Sequence, residues 1–446
     1  MHRLLFIVLV LLALPLTAAS AAERPQIQEF MLKNGMKVVV RPDHRAPVVV
    51  SMVWYRIGSS YEEPGLTGIS HVLEHMMFKG TTRYPGGEFS RIIAEQGGRE
   101  NAFTGRDFTA YFQQLAADRL PIALELEADR MRNLRLREED FRSEVQVVME
   151  ERRLRTEDNP IALALEHFNT IAYPLSPYRN PIVGWMEDLE ALTVADLQRW
   201  YQRWYTPSNA ILVVAGDVEP QEVLRLAERH FGRIPARATP KQRKPVTLTS
   251  PGSRRLELSL PAELPYLAIS FQAPSIATAS EDWEPYALTV LAGILDGGES
   301  ARLPSELVRG QEIAAGVSAS YSAVARLDGQ FSFGAYPARG RSLHELEAAL
   351  LEQIARLQEE GVSTDELERA KNQMIADHLY QLDSIFYQAM QIGLLETAGI
   401  GWQKLLEFEE RIRAVTAEQV QTVARRYLTE PRRAILHLNP ISGEQG

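Results

Sequence analysis

Alternating hydrophobic and polar positions near the start of the chain predict a β-hairpin followed by a buried strand. Residues 27–32 and 36–41 alternate on either side of Asn34-Gly35, a dipeptide that favours a tight hairpin turn. Residues 48–55 are almost continuously apolar, which is typical of a strand covered on both faces. The sequence therefore predicts that a sheet opens the folded part of the chain.

An apolar run with helical spacing comes next, and it contains the motif HVLEH at residues 71–75. Positions i, i+3 and i+4 lie on one face of a helix, so His71, Glu74 and His75 would point the same way. Two imidazoles one turn apart can bind one divalent ion, and the carboxylate between them can reach a water on that ion. This is the H-x-x-E-H order of inverzincins. The alternative is a pair of surface histidines beside an ordinary glutamate. Ser70 is expected to cap this helix at its N-terminus.

Residues 138–157 predict a second, acidic helix. Glu144 and Glu151 are two turns apart and share a face on which Val147 and Val148 lie between them. A carboxylate beside apolar positions is not the usual place for a solvated charge, which makes this face a candidate for a functional role. The alternative is that the acidic helix simply faces water.

Two segments of the chain repeat one plan. Residues 193–218 and 416–438 each combine an amphipathic helix capped by a threonine, a proline break and a buried strand, and the two threonines are 223 residues apart. This spacing predicts an internal duplication of an α+β unit. The second copy lacks metal ligands around residues 291–298, and the basic, proline-rich stretch 236–254 predicts a linker.

The predicted organisation has four parts: a signal peptide at 1–21, an N-terminal zinc-binding catalytic domain at 22–240, a linker at 241–254, and a homologous C-terminal domain at 255–446 without the zinc site.

Composition narrows the possible functions. The chain has no cysteine, which excludes disulfides, thiolate nucleophiles and cysteine zinc sites, so a metal must be held by histidine and carboxylate. The net charge of -10 disfavours a nucleic-acid partner and gives no broad basic face for an anionic membrane.

Apolar residues 4–16 lie between Arg3 and a small-x-small site at 19–21, a pattern typical of a cleaved secretory signal. The alternative is an uncleaved anchor. We expect an exported protein, periplasmic if the organism is Gram-negative, with no membrane span after signal removal.

Three parts of the sequence together resemble one family. The motif at 71–75, the sequence NAFT at 101–104, and Glu144 followed by Glu151 are similar to the pitrilysin or insulysin-type zinc peptidases, in particular the subgroup resembling the mitochondrial processing peptidase β subunit. In that family a glutamate 76 residues after the second histidine completes the zinc shell, and Glu151 lies at that distance from His75 (151 - 75 = 76).

The resemblance covers nearly all of the chain after the predicted signal. It implies an α+β fold of two homologous α/β sandwich domains, each with a mixed, mostly antiparallel sheet packed by helices, arranged as half of a clamshell.

The resemblance also implies roles for individual residues. His71, His75 and Glu151 would hold one Zn²⁺ per chain, with a water in the fourth position. Glu74 would act as the general base on that water and pass the proton to the leaving amine. Glu144 would orient one of the ligands.

In the same family a peptide substrate adds to an edge strand as one more strand, so Asn101, Ala102 and Phe103 are expected to bind substrate. The alternative for Asn101 is an ordinary asparagine between a loop and a strand.

One departure from the family bears on partners. Members that complete a closed chamber carry an arginine and, a short distance on, a tyrosine in the far half. Here Arg309 is present, but alanine or glycine holds the tyrosine position. We therefore expect a second two-domain subunit, either a homologous non-zinc chain or a second copy, and poor cleavage by the chain alone.

The resemblance thus implies a zinc endopeptidase that hydrolyses short peptides or unfolded segments in a dimeric chamber. Two alternatives remain open from the sequence. One is a non-catalytic core subunit of an assembly, and the other is a chaperone-like peptide binder.

Overall fold

The computed structural model describes residues 27–240, 248 and 251–441. The predicted signal at 1–21 lies outside the described residues, as does most of the predicted linker at 241–254. Within the described part of the chain, no helix is both long enough and apolar enough to cross a membrane.

The described residues form eleven strands. In chain order they are β1 (Gln28–Met31), β2 (Lys37–Pro42), β3 (Val48–Tyr55), β4 (Arg99–Thr104), β5 (Thr109–Ala116), β6 (Ala210–Gly216), β7 (Arg254–Leu260), β8 (Tyr266–Ala273), β9 (Ala314–Tyr321), β10 (Gly329–Pro337) and β11 (Arg433–Pro440).

The same residues form fourteen α-helices. They are α1 (Ile69–Met76), α2 (Glu88–Glu95), α3 (Leu120–Asn133), α4 (Glu138–Arg152), α5 (Pro160–Ala172), α6 (Met186–Ala191), α7 (Val194–Trp204), α8 (Pro220–His230), α9 (Glu284–Asp296), α10 (Leu343–Glu360), α11 (Thr364–Gln381), α12 (Ile385–Thr397), α13 (Gln403–Ala414) and α14 (Ala417–Tyr427). Two π-helical segments interrupt the pattern, at Arg153–Glu157 and Pro304–Gly310.

The first sheet has six strands in the order β1-β2-β6-β3-β5-β4. β2 and β6 run parallel, and the other neighbours run antiparallel. The predicted hairpin is confirmed, because β1 and β2 pair across a turn in which Gly35 has φ +84°, a left-handed conformation that glycine adopts without strain. β4 lies at one edge of this sheet, and no other strand of the described residues pairs with its outer side.

The second sheet has five strands in the order β7-β11-β8-β10-β9. Its one parallel pair is β7 with β11, which corresponds to β2 with β6, and β9 takes the edge position that β4 holds in the first sheet. The repeated strand order agrees with the repeated helix–strand plan in the sequence. Together the two helix-packed sheets confirm the expected α+β class.

Each sheet packs one face on helices of its own half and the other face on a helix from the other half. α12 covers the outer face of the first sheet, where Ile392 and Ala389 pack with Trp54 and Val213. α5 covers the outer face of the second sheet through contacts with β11, β7 and β8. This exchange buries both faces of the central strands, such as β3 and β8, which is the burial that the apolar run at 48–55 requires.

Glycine permits the close contact between α12 and the first sheet. A Cβ added at Gly393 would lie 2.0 Å from Cε2 of Trp54, whose side chain is fully buried. The helix can therefore approach the indole ring only because position 393 has no side chain.

Candidate metal centre

Helix α1 presents the histidine motif from a buried position, and its N-terminus is capped from outside the helix. The helix begins after Gly68, which has φ +84°. Two oxygens of the Glu62 carboxylate accept hydrogen bonds from the backbone N–H groups of Gly68 (2.8 Å) and Ser70 (2.9 Å). The expectation that Ser70 caps the helix is therefore wrong, since Ser70 lies inside α1 and Glu62 satisfies the free N–H groups.

Glu62 positions the start of the histidine helix, and sequence reasoning missed it. Its burial raises the pKa of the carboxyl to about 7, although the two backbone hydrogen bonds act in the opposite direction. The only sequence signal was an acidic residue a few positions before the helix.

His71 and His75 meet Glu151 in space, across two separate helices. The Nε2 atom of His71 lies 3.7 Å from one Glu151 oxygen, and the Nε2 atom of His75 lies 3.6 Å from the other. One potential ligand atom from each residue falls within 4.8 Å of the others. In a tetrahedral zinc site with bonds of about 2.0–2.2 Å, ligand atoms are roughly 3.3–3.6 Å apart. The donor set and its spacing therefore fit a zinc ion.

Glu144 and Lys79 surround the second histidine. The Nδ1 atom of His75 lies 3.2 Å from a Glu144 oxygen, and the Nζ atom of Lys79 lies 2.5 Å from the other Glu144 oxygen. A carboxylate accepts hydrogen bonds, so Glu144 favours the proton on Nδ1 and leaves the Nε2 lone pair of His75 free for a metal. Lys79 was missed in the sequence, although it lies one helical turn after His75.

The acidic helix turns only part of its predicted apolar face inward. Val148 is fully buried, whereas Val147 is 48% exposed. Glu151 is followed by the π-helical segment, from which Nη1 of Arg155 lies 2.6 Å from Oε1 of Glu151. Arg155 was also missed, and its only signal was a spacing of four residues from Glu151.

The protonation states in the site suit metal binding and base catalysis. Burial, with smaller contributions from His75 and Arg155, lowers the pKa of His71 to about 3, so its imidazole is neutral. Burial raises the pKa of Glu74, and the hydroxyl of Thr104 partly offsets this by donating a hydrogen bond of 2.5 Å to Oε2 of Glu74. Glu74 can therefore hold a proton more readily than an exposed glutamate.

The predicted substrate residues lie on β4 beside this site. Asn101, Ala102 and Phe103 line the same cleft, of about 870 Å³, as the two histidines and Glu74. Asn101 is exposed, whereas the ring of Phe103 packs edge-on against Trp54 at 5.4 Å between centroids. Phe103 therefore offers the cleft its backbone more than its ring.

Arg309 lies in the second half, in the π-helical segment Pro304–Gly310. Its Nη1 atom is 3.2 Å from a carboxylate oxygen of Glu299, and about half of its side chain is exposed.

Comparison with known proteins places both halves of the chain in one family. A sequence model described as "Insulinase (Peptidase family M16)" matches residues 37–184, and one described as "Peptidase M16 inactive domain" matches residues 191–374. The chain is 33% identical to the zinc protease PqqE of Helicobacter pylori over 81% of each chain. It is 27% identical to a probable mitochondrial-processing peptidase subunit β of Arabidopsis thaliana, over 92% of this chain and 79% of that one.

Solved structures agree with this family. A crystal structure of a protease from Helicobacter pylori, 29% identical, matches with a TM-score of 0.87 over 93% of this chain and all of that one. The periplasmic protease PqqL from Escherichia coli, 19% identical, shares the fold with a TM-score of 0.79 over 93% of this chain and 47% of that one. With these matches and the expected resemblance confirmed, the chain belongs to peptidase family M16, the insulinase family.

Proposed function

We propose that the chain is a zinc-dependent endopeptidase that hydrolyses peptides or unfolded segments. The observation that carries the proposal is the convergence of His71, His75 and Glu151, with Glu74 beside them in a cleft that the edge strand β4 also lines. The zinc-protease names of the relatives support the same reaction class.

The three converging residues would hold Zn²⁺, which when bound supplies a Lewis acid for a water and for the substrate carbonyl. Glu74 would take a proton from the attacking water and give it to the leaving amine as the C–N bond breaks, which restores the carboxylate. Thr104 would hold Glu74 in place through its 2.5 Å hydrogen bond. Glu144 would keep His75 in the tautomer that binds metal.

The substrate would lie along β4. The free side of this edge strand can pair with an extended peptide backbone, so recognition would depend on main-chain hydrogen bonds from residues 101–103 more than on side chains. The scissile bond would then lie in the cleft that also contains Glu74.

We further propose export, to the periplasm if the organism is Gram-negative, and pairing with a second two-domain subunit that closes a chamber over β4. That subunit would be a homologous non-zinc chain or a second copy of this one. The E. coli neighbour is described as a periplasmic protease, which supports export. The match covers only 47% of that chain, which supports pairing of this chain with a second subunit of similar size. The alternative function is a non-catalytic subunit, which the name "Peptidase M16 inactive domain" for part of the chain keeps open.

The test compares zinc content and peptide cleavage in the wild type, Glu74→Gln and the control Glu150→Gln. Glu150 is exposed on α4 and contacts Arg153, away from the cleft. We expect the wild type and both variants to bind zinc, and cleavage to be lost only in Glu74→Gln.

Equal cleavage by the wild type and Glu74→Gln would overturn the role of Glu74, and absence of tightly bound zinc would overturn the metal site. Size-exclusion chromatography with activity measured across the peaks tests the partner: full activity in a monomer peak would contradict it.

A further inference from the structure

A second group of potential metal ligands lies in the other half of the molecule. His437 on β11, Glu257 on β7 and His344 on α10 each place one potential ligand atom within 4.8 Å of the others. The parallel pairing of the two strands puts Glu257 directly opposite His437, and the rings of the two histidines lie 4.8 Å apart between centroids. The group therefore combines two imidazoles and one carboxylate from three separate elements.

A buried carboxylate fixes the tautomer of His437. The side chain of His437 is 1% exposed, and its Nε2 atom lies 2.7 Å from an oxygen of Glu347 on α10. Glu347 is also paired with the guanidinium of Arg255, whose two terminal nitrogens donate to its two oxygens at 2.8 and 2.5 Å, as expected of an ionised carboxylate. An ionised carboxylate only accepts hydrogen bonds, so Nε2 carries the proton and Nδ1 keeps a free lone pair.

At the first site, too, a carboxylate contacts one ring nitrogen of a histidine: Glu144 lies 3.2 Å from Nδ1 of His75, whose Nε2 faces Glu151. Metal-binding histidines usually donate their other N–H to a carboxylate in this way. The nearby cation Arg255 lies 3.3 Å from Nε2 of His437, but both of its terminal nitrogens contact Glu347, at 2.8 and 2.5 Å. Its charge is therefore paired.

We propose that His437, His344 and Glu257 form a second zinc site, separate from the catalytic centre. Imidazole nitrogens and carboxylate oxygens are both ligand types that Zn²⁺ binds in proteins. Glu257 and His344 are exposed, so an ion can enter from solvent and water can complete its coordination. Because the ligands join α10 to the edge strand β7 and its neighbour β11, zinc at this site stabilises the second half of the molecule.

The experiment uses the full-length chain with the first site removed by His71→Ala, His75→Ala and Glu151→Gln. Zinc content is measured by equilibrium dialysis, and thermal unfolding is followed with and without added zinc. We expect one zinc per chain and a zinc-dependent rise in the unfolding temperature.

Adding His344→Ala or Glu257→Gln to this background is expected to weaken zinc binding by at least about tenfold. Loss of a residue that merely supports a metal ligand already costs roughly 10- to 100-fold in metal affinity, so loss of a ligand should cost no less. Both residues are exposed, so neither change should prevent folding. The control His167→Ala replaces an exposed histidine on α5 and should change nothing.

The proposal is overturned if the background variant binds no zinc at saturable sites, or if binding is the same with and without His344. The two sites can fail independently. In the wild type, His344→Ala should remove one zinc and leave peptide cleavage intact, whereas a protein without the catalytic site would still bind zinc at the second site.

Discussion

Thr104→Val tests the proposed base most sharply, because it removes one hydrogen bond and almost no volume. The Thr104 hydroxyl donates to the ionised form of Glu74 at 2.5 Å, while burial raises the pKa of Glu74. Removing the donor destabilises the ionised carboxylate, so the pKa of Glu74 rises further. Glu74 acts as a base only when ionised, so the acidic limb of the pH profile should move to higher pH.

The size of the shift follows from the strength of that bond. A hydrogen bond to a charged group contributes about 1.5–3 kcal/mol. Since one pKa unit equals about 1.4 kcal/mol, the limb should move by roughly one to two units. At a pH on the limb, kcat/KM would fall by about tenfold per unit, whereas the plateau at higher pH would change less.

The assay is kcat/KM for a fluorogenic peptide across the pH range, with zinc content measured for each variant. Thr109→Val is the matched control, because Thr109 lies opposite Thr104 in the β4–β5 pair and its hydroxyl donates to the backbone oxygen of Ile57 at 2.9 Å. The reasoning fails if Thr104→Val keeps its zinc and its pH profile superimposes on that of the wild type.

Two further predictions concern the scaffold. Gly393→Ala should destabilise the chain by about 2 kcal/mol in thermal unfolding, because overpacking against Trp54 outweighs a gain in helix propensity of about 1 kcal/mol. The matched change Gly293→Ala should be neutral or stabilising in the same assay, because its new Cβ comes close only to the flexible side chain of Met374, at 3.1 Å, and makes an ordinary contact with Ala370 at 3.7 Å. Burial alone would raise the pKa of Glu366, but hydrogen bonds from Arg302 help to hold it at about 2, so this stabilisation is present above pH 4.5 and lost as the pH falls towards 2. Glu366→Gln should therefore cost about 1–2 kcal/mol at pH 7 in urea unfolding, and a deficit that does not shrink in acid would contradict this.

Much of the local structure could be predicted because its signals are short in range. The Asn34-Gly35 turn fixes the first hairpin through the conformation of one glycine. The order of His71, Glu74 and His75 puts all three on one helical face whatever the rest of the chain does. The cap of that helix was not predictable in the same way, because Glu62 reaches its N-terminus through a loop whose path no periodicity describes.

Contacts between elements that are far apart in the chain could not be predicted from the periodicity of hydrophobic residues. Glu151 and Glu144 were singled out by helical spacing and family resemblance, but the packing of α1 on α4 decides that they meet the histidines. The exchange of α5 and α12 between the two sheets has no signal in the sequence beyond general amphipathicity. The group around His437 was missed for the same reason, since its members come from residues 257, 344 and 437.

The sequence by itself determined the donor chemistry, the histidine helix and the repeated helix–strand plan, because each depends on residue type or on spacing within a few turns. Only the tertiary structure decided which carboxylates reach which imidazoles, which strand edge stays open beside Glu74, and which helix covers which sheet. Those features depend on how whole elements pack, and packing is set by the sum of many weak apolar contacts that no single stretch of sequence contains.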